Sequence, residues 1–293
     1  MTDYFPFDPH PVPATKAPPP GATDCQFHVF GPADIYPVRP GAAYEMPQAT
    51  IARALAMHKV LGIDRGVIVQ PTTYGTDHRA LLDALAEAGP AYRGCVIASA
   101  LTDCSDAELE RLNAAGVGGA RFNFLGAVNL APDEKALGRA FARAREIGWY
   151  IKIQPGQDGI LDSVALYEDV EDLRIVIDHM GRPDLRQPGH QATVQKVVEL
   201  LRKGNFWVLL SNGHKISQAG FPWHDALPVA RAYIEAAPDK VLWASDWPHP
   251  LSKTQPPNDG ALLDLMFRYA GDEQTARRIL VDNPARLFGF DRS

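Results

Sequence analysis

The chain has few cysteines, no excess of basic residues and no long apolar run. Its 293 residues include three cysteines, Cys25, Cys95 and Cys104, without a Cys-x-x-Cys pair, which favours reduced cytoplasmic thiols over a disulfide framework. Lys and Arg number 29 against 35 Asp and Glu, for a net charge of -6, which argues against nucleic acid. No segment approaches the roughly 18 consecutive apolar residues of a membrane span, and no signal peptide is recognisable. We expect a cytoplasmic protein without nucleic-acid or membrane partners.

Gly-rich phosphate-binding loops are also missing. Neither GxGxxG nor GxxxxGK[ST] follows a predicted strand, so a doubly wound nucleotide-binding sheet is the less favoured architecture. A chain of 293 residues can bury one large core, and α/β barrels of this size are commonly one domain. We therefore expect a single domain.

Proline is concentrated near the N-terminus, with seven prolines among the first 20 residues. Proline fixes φ and has no backbone N–H, which excludes a regular helix or an inner strand here. The pattern predicts an extended arm over residues 1–21, before a barrel domain over residues 22–293. An arm that packs on the barrel and a disordered tail are both compatible with the sequence.

From Ala22 onward, short apolar segments alternate with segments of helical periodicity. Eight strand candidates end near His28, Gln70, Ser99, Asn123, Gln154, His179, Ser211 and Asp246. Helices are predicted at residues 50–61, 77–87, 105–116, 135–147, 160–168, 192–202, 223–236, 260–269 and 272–287, the last with a kink or break at Asn283-Pro284. Eight strands, each followed by a helix, predict an α/β fold of the (β/α)8 TIM-barrel type.

The segment over residues 241–250 is the centre of the functional prediction. It is an apolar run stopped by two prolines, as expected of a strand covered on both faces. Alternation places Leu242, Ala244 and Asp246 on one face. Because barrel enzymes carry their active sites at the C-terminal ends of the strands, Asp246 is the candidate catalytic carboxylate.

Other predicted strands also end in polar residues. Alternation places Asp24, Gln26 and His28 on one face of the first strand. His58 and His78 are interpreted as surface positions. The later strand ends contribute Arg121, Asn123, Lys152, Gln154, Asp178, His179, Arg182 and residues 211–215. Each could be structural alone, but packing does not explain so many together at one end of several strands.

Four segments, in one order, resemble the amidohydrolase superfamily. They are residues 24–32, 119–124, 176–184 and 243–250, and the likeness runs over residues 21–290. Within the superfamily the segments are most similar to the branch of the 2-pyrone-4,6-dicarboxylate lactonases. The resemblance implies a barrel enzyme that opens a cyclic ester.

The resemblance also implies roles for individual residues. Asp246 would be the general base, and His28 and His179 would lie near the lactone carbonyl. Arg121 and Arg182 would bind substrate carboxylates, for which the guanidinium fork is well suited.

The sequence departs from these relatives at the pocket. Gln26 replaces the first histidine of the superfamily's metal-binding His-x-His pair, and an amide oxygen is a poor zinc ligand. We therefore expect no metal and no other cofactor, a property that the resemblance to the lactonase branch also implies. Gln154, Ala127 and Lys215 stand where the lactonase has tyrosine, arginine and arginine, and Asn123 adds a further polar group for substrate binding.

Gln26, Gln154 and residues 126–130 instead resemble galactarolactone isomerase of the same superfamily, which has asparagine where this chain has Asp246. Two enzymatic hypotheses follow. The first is metal-independent hydrolysis of a small carboxylate-bearing lactone, in which Asp246 activates water. The alternative is an isomerase of sugar-diacid lactones, in which a substrate hydroxyl is the nucleophile. A non-catalytic binding barrel and a zinc or manganese hydrolase also remain, and the oligomeric state is left open.

Overall fold

Eight parallel strands form a nearly closed barrel in which each strand pairs with the next in chain order. The computed structural model describes residues 4–126 and 134–290, so Ala127 and residues 128–130 lie outside the described residues. The strands are β1 Thr23–Phe27, β2 Arg65–Val69, β3 Tyr92–Ile97, β4 Val117–Asn123, β5 Tyr150–Gln154, β6 Ile175–Ile177, β7 Phe206–Leu210 and β8 Val241–Trp243. The predicted (β/α)8 barrel is confirmed.

Helices surround this barrel and cover the outward faces of its strands. They are α1 Ile51–Leu61, α2 Arg79–Ala88, α3 Ala100–Asp103, α4 Asp106–Ala114, α5 Glu134–Ile147, α6 His190–Arg202, α7 Gly213–Ile216, α8 Leu227–Ala236, α9 Asp259–Ala270, α10 Glu273–Arg277 and α11 Asn283–Phe288. Among the described residues, no helix is long and apolar enough to cross a membrane.

Local sequence signals explain several helix ends. Ser105 caps α4 by accepting a hydrogen bond from the backbone of Glu108 at 3.2 Å, as the S-x-x-E spacing predicts. Helix α1 ends at Gly62, whose φ of 73° lies in the left-handed region that glycine enters at little cost.

Two predicted helices differ from the structure. The segment 160–168 is not an α-helix but two short 3₁₀ turns, Ile160–Asp162 and Val164–Leu166. They are separated at Ser163, whose φ of -132° is not helical. In the last predicted helix, the kink or break expected at Asn283-Pro284 falls where the helix type changes and α11 begins. A π-helical segment, Arg278–Asp282, precedes it, and Pro284 lies in the first turn of α11, where its missing N–H costs nothing.

The core has two layers. Outward-facing strand residues pack against the helices, whereas inward-facing residues such as Val67, Leu209 and Leu242 fill the barrel itself. Phe288 and Phe290 belong to the same interior cluster, and the Phe288 ring meets Tyr150 edge-on at 5.2 Å. Apolar side chains thus fill the barrel below its C-terminal end, and the polar strand ends gather at that end.

Residues 4–21 contain no helix or strand and run over the barrel surface near α9. The backbone N–H of Phe5 donates to the carbonyl of Ser252 at 3.0 Å, and the Phe7 ring lies 4.6 Å from that of Trp247. Asn258, the N-cap of α9, donates to Asp8 at 3.0 Å. These contacts connect the proline-rich segment to the loop that follows β8.

Candidate active site

A cavity of about 900 Å³ opens at the C-terminal end of the barrel. Eight of the nine side chains predicted for the site line it: His28, Arg121, Asn123, Gln154, His179, Arg182, Lys215 and Asp246. The ninth, Gln26, is fully buried and contacts Asp246. The structure therefore brings the predicted residues together, because parallel strands place all their C-terminal ends at one edge.

Asp246 is 3% exposed and receives several donors. Its Oδ1 accepts a hydrogen bond from Nε2 of Gln26 at 3.0 Å, and its Oδ2 accepts one from Nδ2 of Asn212 at 2.9 Å. The Lys215 ammonium lies 3.7 Å from Oδ2. The carboxylate is thus held from both sides.

The backbone conformation that directs the Asp246 side chain into the site differs from the prediction. Strand β8 stops at Trp243, so Asp246 does not take its direction from strand alternation. Its φ of 61° instead lies in the left-handed region, where residues other than glycine are uncommon. A turn beyond the strand aims the carboxylate into the cavity.

Strand β1 also breaks the predicted alternation. Its ladder with β2 shifts register between Asp24 and Phe27. Asp24 contacts His58 of helix α1 at 3.2 Å, while Cys25 packs inside the barrel. The prediction that Asp24 shares a face with Gln26 and His28 is therefore wrong.

The two active-site imidazoles have different hydrogen-bond partners. Nδ1 of His28 lies 2.6 Å from the carbonyl of Val69 and must donate to it, so Nε2, 3.5 Å from Asp246 Oδ1, is the ring nitrogen that faces the carboxylate. Nδ1 of His179 lies 3.0 Å from the amide nitrogen of Asn212 and 2.8 Å from the Ser211 hydroxyl. Because an amide nitrogen only donates, Nδ1 of His179 is the acceptor.

Nε2 of His179 lies 3.4 Å from Nη2 of Arg121, which can also only donate. The shorter contact of Nδ1 with Asn212 favours the tautomer in which Nε2 carries the proton and can donate into the cavity. This atom lies 3.9 Å from Oδ1 of Asp246. Burial lowers the pKa of His179 to about 3, although the carboxylates of Asp246 and Asp178 act in the opposite direction. At neutral pH His179 is therefore a neutral donor.

The carboxyl of Asp246 is ionised under the same conditions. Burial alone would raise its pKa, but His179, the hydrogen bond with His28 and the charge of Lys215 hold the pKa well below its usual range. For Lys215, burial lowers the pKa, while the adjacent Asp246 carboxylate raises it. The site thus combines a carboxylate with a neutral imidazole.

Arg121 is fixed by a buried ion network under the cavity. Its Nε donates to Asp178 at 2.7 Å, and the other Asp178 oxygen lies 3.1 Å from the fully buried ammonium of Lys152. Nη2 of Arg121 donates to Oε1 of Gln154. Gln154 therefore orients the guanidinium rather than standing free for a ligand.

Arg182 lies across the cavity in a left-handed conformation, with a φ of 55°. Burial and the nearby Arg121 lower its pKa, yet a guanidinium keeps its charge in proteins. Within residues 4–126 and 134–290, Arg182 has no ion pair and no side-chain hydrogen bond. Asn123 also lines the cavity, with its side-chain oxygen bound to the backbone of Leu125 at 2.9 Å.

The donor set does not fit the metal centre that the superfamily's His-x-His pair would imply. No group of three or more His, Cys, Asp or Glu side chains suited to a metal occurs in the described part of the chain. Beside Asp246, Gln26 presents its N–H group and Lys215 its ammonium. Protonated nitrogens cannot ligate a cation, and an ammonium repels one.

Several residues near the site escaped the sequence prediction. Asn212 stood within a recognised strand-end run, but its contact with Asp246 depends on a left-handed φ of 58°. His214, in the same run, also lines the cavity. Tyr44 lines it as well, and no periodicity marks this residue. His58 and His78 were predicted at the surface, which is wrong, since they are 1% and 4% exposed. Each has a buried polar partner, Asp24 and Gln70 respectively.

Known proteins are similar to this chain over nearly its whole length. The chain is 35% identical over 282 residues to 2-pyrone-4,6-dicarboxylate hydrolase of Comamonas testosteroni, covering 92% of this chain and 90% of the relative. It is 35% identical to 4-sulfomuconolactone hydrolase of Rhizobium radiobacter, with coverage of 95% and 93%. It is 31% identical to D-galactarolactone isomerase of Agrobacterium fabrum, with coverage of 92% and 91%.

A solved structure and a family model extend this agreement. An apo structure from Agrobacterium tumefaciens superposes with a TM-score of 0.78 at 28% identity and covers 96% of this chain and all of that chain. The amidohydrolase family model matches residues 23–290, which span the barrel from β1 to the end of α11. The chain therefore belongs to the amidohydrolase family.

Proposed function

We propose that this protein hydrolyses a small lactone that carries carboxylate groups, with Asp246 as the base that activates water and without a metal. The observation that carries the proposal is the ionised Asp246 carboxylate at the floor of a cavity, beside His28 and His179 and facing cations. Relatives with 35% identity are named hydrolases of a pyrone dicarboxylate and of a sulfomuconolactone, which supports the reaction class.

The first step would be attack of water on the lactone carbonyl. A water bound to Asp246 would transfer one proton to the carboxylate while its oxygen bonds to the acyl carbon. The carbonyl oxygen becomes an oxyanion, to which Nε2–H of His179 can donate. Such preorganised donors typically contribute about 100-fold to 1000-fold in rate. His28 can donate from Nε2 when its ring is protonated.

The second step would open the ring. The tetrahedral intermediate collapses, the ester carbon–oxygen bond breaks, and the leaving oxygen takes the proton held by Asp246. This returns Asp246 to the ionised state in which it began.

The substrate's charge follows from the cations in the cavity. Asp178 is shared by Arg121 and Lys152, which leaves one positive charge in that trio. Arg182 and Lys215 add two more against the single charge of Asp246. This surplus favours an anionic ligand, for which guanidinium groups provide bidentate binding.

An isomerase is the second candidate, and Gln154 supports it. Its amide holds Arg121 at the position where the sequence departs from the lactonases, and a relative with 31% identity is named a galactarolactone isomerase. There a substrate hydroxyl would replace water as the nucleophile, an attack favoured by high effective molarity.

The deciding experiment is a mass-spectrometric time course in oxygen-18 water, with chelator-treated protein, carboxylated pyrones and aldarolactones. Label in the opened acid is the expected result. An unlabelled isomeric lactone would assign the isomerase instead. Asp246→Asn should reduce turnover by at least about 1000-fold while the fold is retained, since the base is lost. A fully active variant, or activity restored only by added zinc, would overturn the proposed mechanism.

A further inference from the structure

We propose that Asp24, outside the cavity, is the positioning residue of Asp246: through Ser245 it holds the left-handed turn that aims the Asp246 carboxylate at the substrate. This inference deepens the proposed function and rests on Asp246 as its base. Asp24 itself is fully buried and does not line the cavity, so it acts through Ser245 rather than on the substrate.

The Asp24 carboxylate is saturated with hydrogen bonds from the residues around Asp246. Its Oδ1 accepts from the backbone N–H of Ser245 at 3.1 Å and from that of Gln26 at 3.2 Å. Its Oδ2 accepts from the Ser245 hydroxyl at 2.5 Å. The Ser245 oxygen in turn accepts from the N–H of Trp247 at 3.0 Å. Ser245, before Asp246, is therefore bound directly to the Asp24 carboxylate, and Trp247, after it, is bound through the Ser245 hydroxyl.

This network joins the first and last strands beyond the end of β8. Strand β8 ends at Trp243, three residues before Asp246, while β1 continues to Phe27. Beyond Trp243, the N–H of Asp246 donates to the carbonyl of Gln26 at 3.1 Å, and the N–H of His28 donates to that of Trp247 at 2.7 Å. The Asp24 carboxylate adds two acceptors to this seam between the first and last strands.

The turn needs such support because its backbone is strained. A residue other than glycine in the left-handed region is unfavourable and persists only where the surroundings enforce it. Asp246, with a φ of 61°, is such a residue. Without its neighbours held in place, the chain could relax toward an extended conformation, which would turn the carboxylate out of reach of His28 and His179.

Asp24 is itself held from outside the barrel. Nε2 of His58, on helix α1, lies 3.2 Å from Oδ2 of Asp24, and Nδ1 of His58 lies 3.0 Å from the Tyr92 hydroxyl. The His58 ring also meets Phe27 edge-on at 4.8 Å. A buried carboxylate with a complete set of partners is rigid, which a positioning role requires.

The test compares Asp24→Asn, Ser245→Ala and Thr23→Val in steady-state kinetics on protein shown to be folded. Thr23 is the matched control: it lies on β1, is fully buried, and within the described part of the chain its hydroxyl bonds only the carbonyl of Gly21, at 3.2 Å. We expect kcat to fall about 10- to 100-fold in Asp24→Asn and about 5- to 10-fold in Ser245→Ala, because small misplacements of a reacting group are this costly. Thr23→Val should lose stability but keep kcat.

The binding readout separates positioning from general damage. The dissociation constant of benzene-1,3-dicarboxylate, which has no ester to cleave, should stay within about threefold in all three variants, since Arg121 and Arg182 are untouched. A kcat within twofold of the wild type in Asp24→Asn and Ser245→Ala overturns the inference. If Asp24→Asn does not fold, Ser245→Ala decides alone.

Failure of the proposed function has a different signature. If the wild type opens no lactone, crystal structures of Ser245→Ala and Asp24→Asn decide the inference without activity. An Asp246 φ that leaves the left-handed region supports the positioning role. An unmoved Asp246 carboxylate in both variants overturns it.

Discussion

The side-chain nitrogen of Asn212 lies 2.9 Å from Oδ2 of Asp246, and the same nitrogen lies 3.0 Å from Nδ1 of His179. One amide therefore connects the two groups that the proposed mechanism needs in defined protonation states. It stabilises the carboxylate of Asp246, and by donating to Nδ1 it favours the tautomer of His179 with the proton on Nε2.

Removal of this amide should impair catalysis more than binding. Hydrogen bonds to charged groups contribute about 1.5 to 3 kcal/mol, so kcat in Asn212→Gly should fall about 10- to 100-fold. Glycine is the appropriate replacement because Asn212 has a φ of 58°, which alanine would strain. Steady-state kinetics of Asn212→Gly beside Asn212→Ala separate the two effects. A kcat in Asn212→Gly equal to that of the wild type would show that the amide is dispensable.

A second variant at this position tests the electrostatics. Asn212→Asp places a carboxyl beside that of Asp246, and two such groups at about 3 Å cannot both ionise readily. We expect the acidic limb of the kcat/KM profile to move to higher pH by at least one unit. An unchanged limb would indicate that Asp246 is not the group that titrates.

Arg182 should determine affinity for one substrate carboxylate. Its guanidinium faces the cavity without an ion pair in the described ranges, 4–126 and 134–290, so Arg182→Gln removes an interaction reserved for a ligand. KM for a dicarboxylated lactone should rise about 10- to 100-fold, the equivalent of one hydrogen-bonded charge. For the same lactone with that carboxylate esterified, the variant and the wild type should differ little.

Arg186 provides the matched control for Arg182. It lines the rim of the same cavity, but its Nε is paired with Asp184 at 2.8 Å and its side chain is 68% exposed. Exposed pairs of this kind contribute little. Arg186→Gln should change KM less than about threefold. Equal losses in both variants would point to a general electrostatic attraction instead of a carboxylate site.

The pH dependence follows from His179 and Asp246. The free enzyme has a neutral His179 and an ionised Asp246 at neutral pH, because the pKa of His179 is about 3 and that of Asp246 is well below its usual range. We therefore expect no acidic limb in kcat/KM between pH 7 and pH 5 from these two groups. A fall of kcat/KM to half its maximum at a pH above 6, with the fold intact, would contradict this assignment.

The free energy of unfolding should also fall as the pH is lowered from 7 to 5. Unfolded histidine binds a proton below a pH of about 6.5, whereas native His179 does so only near 3. The unfolded state then binds more protons, so the free energy of unfolding falls as the pH drops from about 6.5. Denaturant unfolding at pH 7 and pH 5 measures this change, and it should be smaller in His179→Gln.

Most of the barrel could be predicted from the sequence because its signals are local. Apolar strand segments, helical periodicity and the Ser105 cap each depend on neighbouring residues, and the strand order then places the polar strand ends together. The segment 160–168 shows the limit of this reasoning. Its apolar spacing is helical, but Ser163 leaves the helical region and turns the segment into two 3₁₀ turns.

The sequence predicts which residues form the site, but it does not predict how their side chains are directed. The direction of Asp246 depends on a left-handed turn, and that of Asp24 on a register shift in β1. Neither is encoded in an apolar pattern. The contacts of His58 with Asp24 and of Asn212 with Asp246 join positions 34 residues apart, which pattern analysis of one chain cannot pair.

The segment over residues 4–21 should contribute to both stability and catalysis. The Phe7 ring packs at 4.6 Å on that of Trp247, the residue that follows Asp246. The backbone N–H of Phe5 donates a hydrogen bond to the carbonyl of Ser252, a residue that lines the cavity. Aromatic pairs contribute about 0.5 to 1.5 kcal/mol beyond the area they bury. Phe7→Ala should therefore lower the free energy of unfolding by about 1 to 3 kcal/mol.

The Phe7 effect should also reach the site, because Trp247 donates its N–H to Ser245. We expect kcat in Phe7→Ala to fall several-fold at a temperature where the protein is fully folded. Val12→Ala is the control, since Val12 belongs to the same segment but is 56% exposed. Denaturant unfolding and steady-state kinetics of both variants measure the two effects. If Phe7→Ala and Val12→Ala both match the wild type, the segment is a surface attachment without influence on the Asp246 turn.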